Sequence, residues 1–434
     1  MVIHNRQFIQ SSKEKIFQRT GNEKLARMYE KCMINTLDTT IKIREDGATF
    51  IVTGDIPAMW LRDSVCQIRP FLYFAKEHVE IQEMLVGLLR EQERLIAIDP
   101  YANAFNETAN GAGHQNDLTE MLPEVWERKY EIDSLCYPLQ LAYFIWKFAG
   151  QTEQFDNAYL KMIRCVLKVW QTELRHETDS PYTFERLDCV ATDTLVRSGK
   201  GNETAYTGLL WSGFRPSDDA CQYGYLIPAN LFAIRVLAYT EEILTTFFAK
   251  EKELLGKVSE LRQTIEAAIE RYAIYEHAEF GEIYAYEVDG LGNQLLMDDA
   301  NVPSLLALPF LGIADADSVR YSQTRRFLLS QENPFYQEGK YALGIGSPHT
   351  PLGYIWPIAL SIQGLTATER AEKEQMMSYL LATDAGTEMI HESFDPDQPE
   401  NFTREWFSWA NMMFCELALD LGGYKLDLGK PVYC

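Results

Sequence analysis

The sequence predicts an all-α protein, and three observations carry that expectation. Apolar residues return at helical spacing through about a dozen stretches. Extended signals are few and short. No Pro-rich, Ser-rich or low-complexity run marks a linker. Length alone, at 434 residues, would suggest about three domains. With no shift of composition along the chain, one domain spanning 1–434 is the expectation. Hydrophobic residues at 46% and charged residues at 24% provide for a large core.

Taken in order, the first helical stretch covers roughly 12–36. Thr40-Ile41-Lys42-Ile43 and Thr49-Phe50-Ile51-Val52 then flank Asp46-Gly47, a strong hairpin turn. Helical periodicity resumes at 63–76, 80–97, 131–149 and 154–175, with Asp133 placed to cap or charge-stabilise the third of these. The stretch at 221–245 follows Ser217, a good N-cap, which would put Asp218 and Asp219 in the first helical turn. Adjacent helical positions project about 100° apart, so only one of those two should face a given pocket. A stretch at 250–275 comes next, then Ile283-Tyr284-Ala285-Tyr286, an extended run before Asp289-Gly290. Helices at 301–311, 318–330, 352–364, 367–382 and 404–421 complete the chain. Strands are therefore decoration on a helical body. Such helices could form a solenoid, a pair of bundles or a closed toroid; the lack of a fixed-period repeat weighs against the solenoid.

The formal net charge is −23, from 63 acidic against 40 basic residues, which argues against nucleic acid and anionic membranes as partners. A neutral substrate fits better, although such a charge also serves solubility alone. The N-terminal residues contain no apolar stretch of signal-peptide length and no segment approaches a membrane span, so a cytoplasmic protein is expected. Eight widely spaced cysteines without a CxxC read as small core residues kept reduced. The sequons at Asn106, Asn202 and Asn401 are taken as chance.

Chemistry concentrates in four segments. The first, Thr53-Gly54-Asp55-Ile56-Pro57-Ala58-Met59-Trp60-Leu61-Arg62-Asp63-Ser64, crowds two carboxylates, a guanidinium and an indole into a turn-to-helix junction. Arg62 and Asp63 can divide the donors and acceptors of vicinal hydroxyls, while the Trp60 face covers the C–H face of a sugar ring. The plainer alternative is a buried salt bridge at a helix start. The second pairs His114 and Gln115, in a glycine-bearing polar loop, with Arg128 and Asp133 around Trp126. The third is Trp211-Ser212-Gly213-Phe214-Arg215-Pro216-Ser217-Asp218-Asp219, whose acids could equally be helix-dipole partners. The fourth joins Glu392 to an aromatic-rich helix start containing Trp406, Phe407 and Trp409, with Tyr354 and Trp356 as further platforms. The seven histidines form no HExxH or other close ligand pair, and neither a Gly-x-Ser-x-Gly elbow nor a Walker loop is present. Paired carboxylates remain, and two of them suffice to hydrolyse a glycosidic bond.

Segments 53–64, Gly213-Phe214-Arg215-Pro216-Ser217-Asp218-Asp219 and Ile390-His391-Glu392-Ser393-Phe394, in that order and over nearly the whole chain, resemble glycoside hydrolase family 125. The resemblance implies an (α/α)6 barrel and an exo-acting α-1,6-mannosidase that inverts the anomeric carbon without metal or other cofactor. It makes Asp219 the general acid and Glu392 the general base, with α-mannoside oligosaccharides as ligands. The residues themselves suggest Asp55, Trp60, Arg62, Asp63, His114, Gln115, Arg128, Asp133, Asp218, Tyr354, Trp356 and Trp406 as the substrate-binding set. Inversion would place the two carboxyl groups about 6.5–9.5 Å apart, retention near 5 Å. Competing readings are a toroidal glycosidase acting on α-glucosides and a glycan-binding protein without turnover. The oligomeric state is not legible.

Overall fold

The computed structural model describes residues 3–433. Its helices of eight or more residues are α1 (Gln7–Thr20), α2 (Glu23–Thr39), α3 (Leu61–Ile68), α4 (Val79–Ile98), α5 (Ile132–Phe144), α6 (Asn157–Glu173), α7 (Ile227–Phe247), α8 (Lys252–Tyr272), α9 (Val319–Leu328), α10 (Pro357–Leu365), α11 (Arg370–Ala382) and α12 (Ser408–Leu421). Two populations differ by burial. In α3, α5, α10 and α12 almost every residue is buried; α5, α10 and α12 are predominantly apolar, whereas α3 also buries Arg62, Asp63, Ser64 and Gln67. In α2, α4, α6, α8 and α11 only one face is buried.

The inner helices touch in the order α10, α12, α3, α5, α7, and the outer α2, α4, α8 and α11 lean on α12, α5, α7 and α10 respectively. Between α7 and α10 in the chain, the irregular segment 302–313 is tied to α5 by Tyr137 Oη donating to Val302 O and to α9 by Tyr321 Oη donating to Leu306 O. The result is an (α/α)6 barrel, with a main apolar core running from Ile3 to Leu421 and a small separate cluster of Ala58, Trp60 and Ala104.

Several boundaries depart from the periodicity, the stretches expected from 352 and 404 beginning at Pro357 and Ser408 among them. The 12–36 stretch is two helices, because Gly21 turns left-handed (φ 64°) to end α1 and the Asn22 side chain caps α2 by accepting from Leu25 N–H. Pro70 converts the end of 63–76 into 3-10 turns. At 301–311 there is no regular helix: Pro303 and Pro309 remove amide donors, and buried Asp298 instead accepts from the N–H groups of Leu305 and Leu306. The helix expected from 221 begins at Ile227.

The strands are short, and several lead into inner-helix N-termini. Met59–Trp60 precedes α3 and pairs with Ala104–Phe105, which pairs with Val125–Glu127 ahead of α5. Tyr225–Leu226 precedes α7, and Ser393–Phe394 pairs with Phe402–Thr403 ahead of α12. The expected hairpin pairs Ile41–Ile43 with Ile51–Thr49 across Asp46-Gly47. Gly281–Tyr284 pairs back to Ile274–His277. The described cysteines are all free; Cys434 lies outside the described residues. No helix among the described residues is long and apolar enough to cross a membrane.

Candidate active site

The N-terminal ends of α3, α10 and α12 open onto a cavity of about 200 Å³, lined by Thr53, Ile56, Trp60, Arg62, Asp63, Pro216, Ser217, Asp218, Asn301, His349, Trp356, Glu392, Arg404, Phe407 and Trp409. A larger groove of about 620 Å³ lies beside the 41–51 hairpin. Its Arg44, Arg90 and Arg94 are each engaged by Glu91 or Glu93, so its cations are already paired with the protein's own carboxylates.

Arg62 is the hub of the small cavity. It is 2% exposed, and its guanidinium reaches Glu131 Oε2 at 2.7 Å, Asp133 Oδ2 at 3.2 Å, Asp218 Oδ1 at 3.2 Å and Asp63 Oδ1 at 3.3 Å. One buried cation thus serves four carboxylates, and their protonation reflects the shortage. Burial drives Asp63 up to about 6 against the pull of Arg62, and it drives Glu131 well above the carboxylate range. Asp218 goes the other way: burial opposes its charge, but Arg62 and Lys129 together hold it below the ordinary value.

Residues 214–220 form a tight turn where a helix start was expected. Phe214 pairs with Ala220, Arg215 N–H donates to Asp219 O at 2.7 Å, and Asp218 N–H donates to Arg215 O at 2.9 Å. Asp218 adopts φ 68°, a left-handed conformation that aspartate tolerates better than most residues. Ser217 caps nothing; its Oγ donates to Asp299 Oδ2 at 2.8 Å. The turn therefore presents both acids without any helical geometry. Asp218 lines the cavity, while Asp219, 2% exposed, lies behind it with Oδ1 3.0 Å from Nδ1 of cavity-lining His349. Burial disfavours the imidazolium, yet Asp219, Asp218 and Glu392 together raise His349 to about 9.

Glu392 enters from the residue before strand Ser393–Phe394 and is 6% exposed. Arg404 Nη1 stands 3.5 Å from its Oε1. The same guanidinium pairs with Asp55, Nε lying 3.1 Å from each carboxylate oxygen, and sits 4.3 Å over the Phe407 ring. Polar atoms buried without a hydrogen bond gather at this place: Trp60 Nε1, Asp63 Oδ1, Asp219 Oδ2 and Trp409 Nε1. Such groups are what the hydroxyls of a polyol can satisfy. Among the described residues no group of three or more His, Cys, Asp or Glu is arranged to hold a metal ion.

Of the residues singled out in the sequence, Trp60, Arg62, Asp63, Asp218, Trp356 and Glu392 line the cavity, and Asp219 adjoins it through His349. Asp133 lies one layer behind, on Arg62. Asp55 is exposed at the rim, tied to Arg404. The remaining five lie outside the lining. His114 is exposed and edge-on to Trp126; Gln115 braces its own loop through Val125 O at 2.6 Å; Arg128 is bonded to Asp99 and Thr119. Trp406 donates to Asn35, and Tyr354 is half-buried in the loop before α10. His349, Asn301, Arg404 and Glu131 were not singled out. Arg404 lies in the aromatic segment already noted and His349 in the Trp356 loop, so aromatic-rich loops were the signal that could have found them.

Carboxylates with cationic partners, indole faces and unpaired polar atoms in one small pocket, on a barrel of this kind, make the protein a glycoside hydrolase. Residues 22–419 match the family described as metal-independent alpha-mannosidase (GH125), and the chain belongs to that family. It is 37% identical over 444 aligned residues to the Meiotically up-regulated gene 157 protein of Schizosaccharomyces pombe, spanning 97% of this chain and 87% of that one. A Streptococcus pneumoniae structure, described within a family of metal-independent alpha mannosidases as a non-productive complex with alpha-1,6-mannobiose, is similar at TM-score 0.95 and 47% identity, covering 98% of this chain and 100% of that one. A bacterial glucoamylase complexed with acarbose matches at TM-score 0.58 with 11% identity, over 92% of this chain and 56% of that one, a likeness of fold alone.

Proposed function

We propose that the protein removes non-reducing terminal α-1,6-linked mannose from N-glycan-type mannosides, with inversion, using Asp219 as general acid and Glu392 as general base. The whole described chain, with its continuous core, acts as one catalytic domain in this reading. The observation that carries it is the arrival of Glu392 and of the Asp219–His349 pair at one cavity from segments far apart in sequence. The cavity's size supports exo action. At about 200 Å³ it is smaller than the roughly 300–1,000 Å³ of pockets that enclose drug-sized ligands, and suits one sugar ring. Likeness to a relative bound to alpha-1,6-mannobiose supports the linkage.

In the proposed reaction the Asp219 carboxyl gives its proton to the glycosidic oxygen as that bond breaks. Glu392 takes a proton from water, and the water oxygen joins the anomeric carbon from the opposite face. Arg62 and Asp63 read the mannose hydroxyls, and Trp60, Trp356 and Trp409 supply ring faces. A proton NMR time course of α-1,6-mannobiose digestion tests substrate, linkage and stereochemistry together. β-Mannose appearing first is expected, and α-mannose appearing first refutes inversion. Asp219→Asn and Glu392→Gln should each lower kcat by about 10²- to 10⁴-fold; near-wild-type turnover in either removes that residue's role.

A further inference from the structure

The two proposed catalytic carboxylates have cationic partners of different kinds. Glu392 stands beside Arg404, a group charged at every accessible pH, whereas Asp219 stands beside His349, whose charge can be lost. The geometry points to His349 as the residue that positions the proposed acid Asp219 and, through its charge, sets how readily that carboxyl gives up its proton. This rests on the reading of Asp219 as the acid.

The argument begins with the carboxyl itself. Asp219 is 2% exposed; its Oδ1 is engaged by His349 Nδ1 at 3.0 Å, while its Oδ2 has no protein partner. A carboxyl held by one oxygen keeps the other in a fixed orientation, available to carry the proton that a leaving oxygen must receive. His349 can do this because it is anchored on the cavity wall by Asp219 on one nitrogen, with its side chain 36% exposed. The charged groups facing it are Asp219 and Asp218 from the 214–220 turn and Glu392 from the segment before α12. Trp356 meets it edge-on at 6.4 Å and adds no charge. Behind Asp219 stands Asp299, itself held by Ser217 Oγ and Asn301 Nδ2. With Asp219 ionised, three carboxylates hold the imidazole protonated up to about 9; once Asp219 carries the proton, Asp218 and Glu392 remain to favour a positive His349 beside it. A positive neighbour makes a carboxyl release its proton more readily, which helps transfer and shortens the pH range over which the acid stays loaded. His349 is thus a positioning residue with an electrostatic effect; the bond-breaking proton remains that of Asp219.

The test uses the full chain, α-1,6-mannobiose, and 2,4-dinitrophenyl α-mannoside, whose leaving group needs no proton. His349→Gln keeps a donor near Oδ1 and removes the charge. Its kcat/KM profile on mannobiose should have the alkaline limb moved up by about 1 pH unit or more. His349→Ala should lose at least tenfold in kcat on mannobiose and much less on the dinitrophenyl substrate. If Asp219→Asn loses turnover on mannobiose while the His349→Gln limb stays in place or moves down, the inference is overturned and the acid assignment stands. Asp219→Asn turning mannobiose over normally overturns the assignment itself. Should His349→Gln not fold, as judged by circular dichroism, His349→Asn is read by the same criteria.

Discussion

Replacing Asp63 by Asn should make the protein a poorer enzyme and, at neutral pH, a protein of equal or greater stability. Asp63 lies in the first turn of α3, 5% exposed, with Arg62 Nε 3.3 Å away and its Oδ1 otherwise unpartnered. Burial outweighs Arg62 and raises the carboxyl from 3.8 to about 6. The folded state therefore binds this proton more tightly than the unfolded chain does. Stability falls as the pH rises from about 4 to about 6, and the full loss, about 3 kcal/mol, is present at pH 7. Asparagine has the same shape and no charge, and Arg62 keeps Glu131, Asp133 and Asp218 as partners. Denaturant titrations should show Asp63→Asn level with wild type near pH 4 and up to about 3 kcal/mol more stable at pH 7. A hydrogen bond from a substrate hydroxyl to a charged group contributes roughly 1.5–3 kcal/mol, so kcat/KM on α-1,6-mannobiose should fall about 10- to 150-fold. A variant less stable than wild type at pH 7, or a stability difference that ignores pH, would refute the account of Asp63 as a strained buried anion. Unchanged kinetics would remove it from sugar recognition.

Arg404→Met should lower kcat on mannobiose by about 10²-fold, because Glu392 loses the group that holds it; Asp55→Asn, at the exposed end of the same network, should change it far less. Steady-state kinetics on the pair checks this, and equal losses would contradict it. Gly54→Ala should destabilise by roughly 1–3 kcal/mol, since φ is 130° and the added Cβ would lie 2.6 Å from Trp406 O; thermal melts report it. Arg69→Met leaves Glu416, buried at 0% exposure and 2.9 Å from Arg69 Nε, without its cation. A loss of about 3–5 kcal/mol is expected there, with kcat of the folded fraction unchanged because neither residue lines the cavity.

What the chain determines by itself is local. Helical periodicity marked the stretches that became α4, α6, α8 and α11, because an amphipathic helix needs only one neighbour and its pattern is complete within a few turns. Asp46-Gly47 specified its hairpin for the same reason. The 53–64 segment was legible as part of one site because Trp60, Arg62 and Asp63 reach the cavity from nearly consecutive backbone at one helix start. Everything that depends on distant segments meeting was decided by the barrel. Arg62 finds its anions in residues 131, 133 and 218; Asp219 leaves its expected helix because backbone pairing of Phe214 with Ala220 closes a turn there. His349 and Arg404 become partners of the two acids only when the loops before α10 and α12 converge. Arg128 and Arg62 are alike as residues in a sequence. Both are buried, but the tertiary structure sets Arg128 against Asp99 in a loop and Arg62 among four carboxylates on a cavity wall, because a side chain's role follows from the groups that distant segments bring to it.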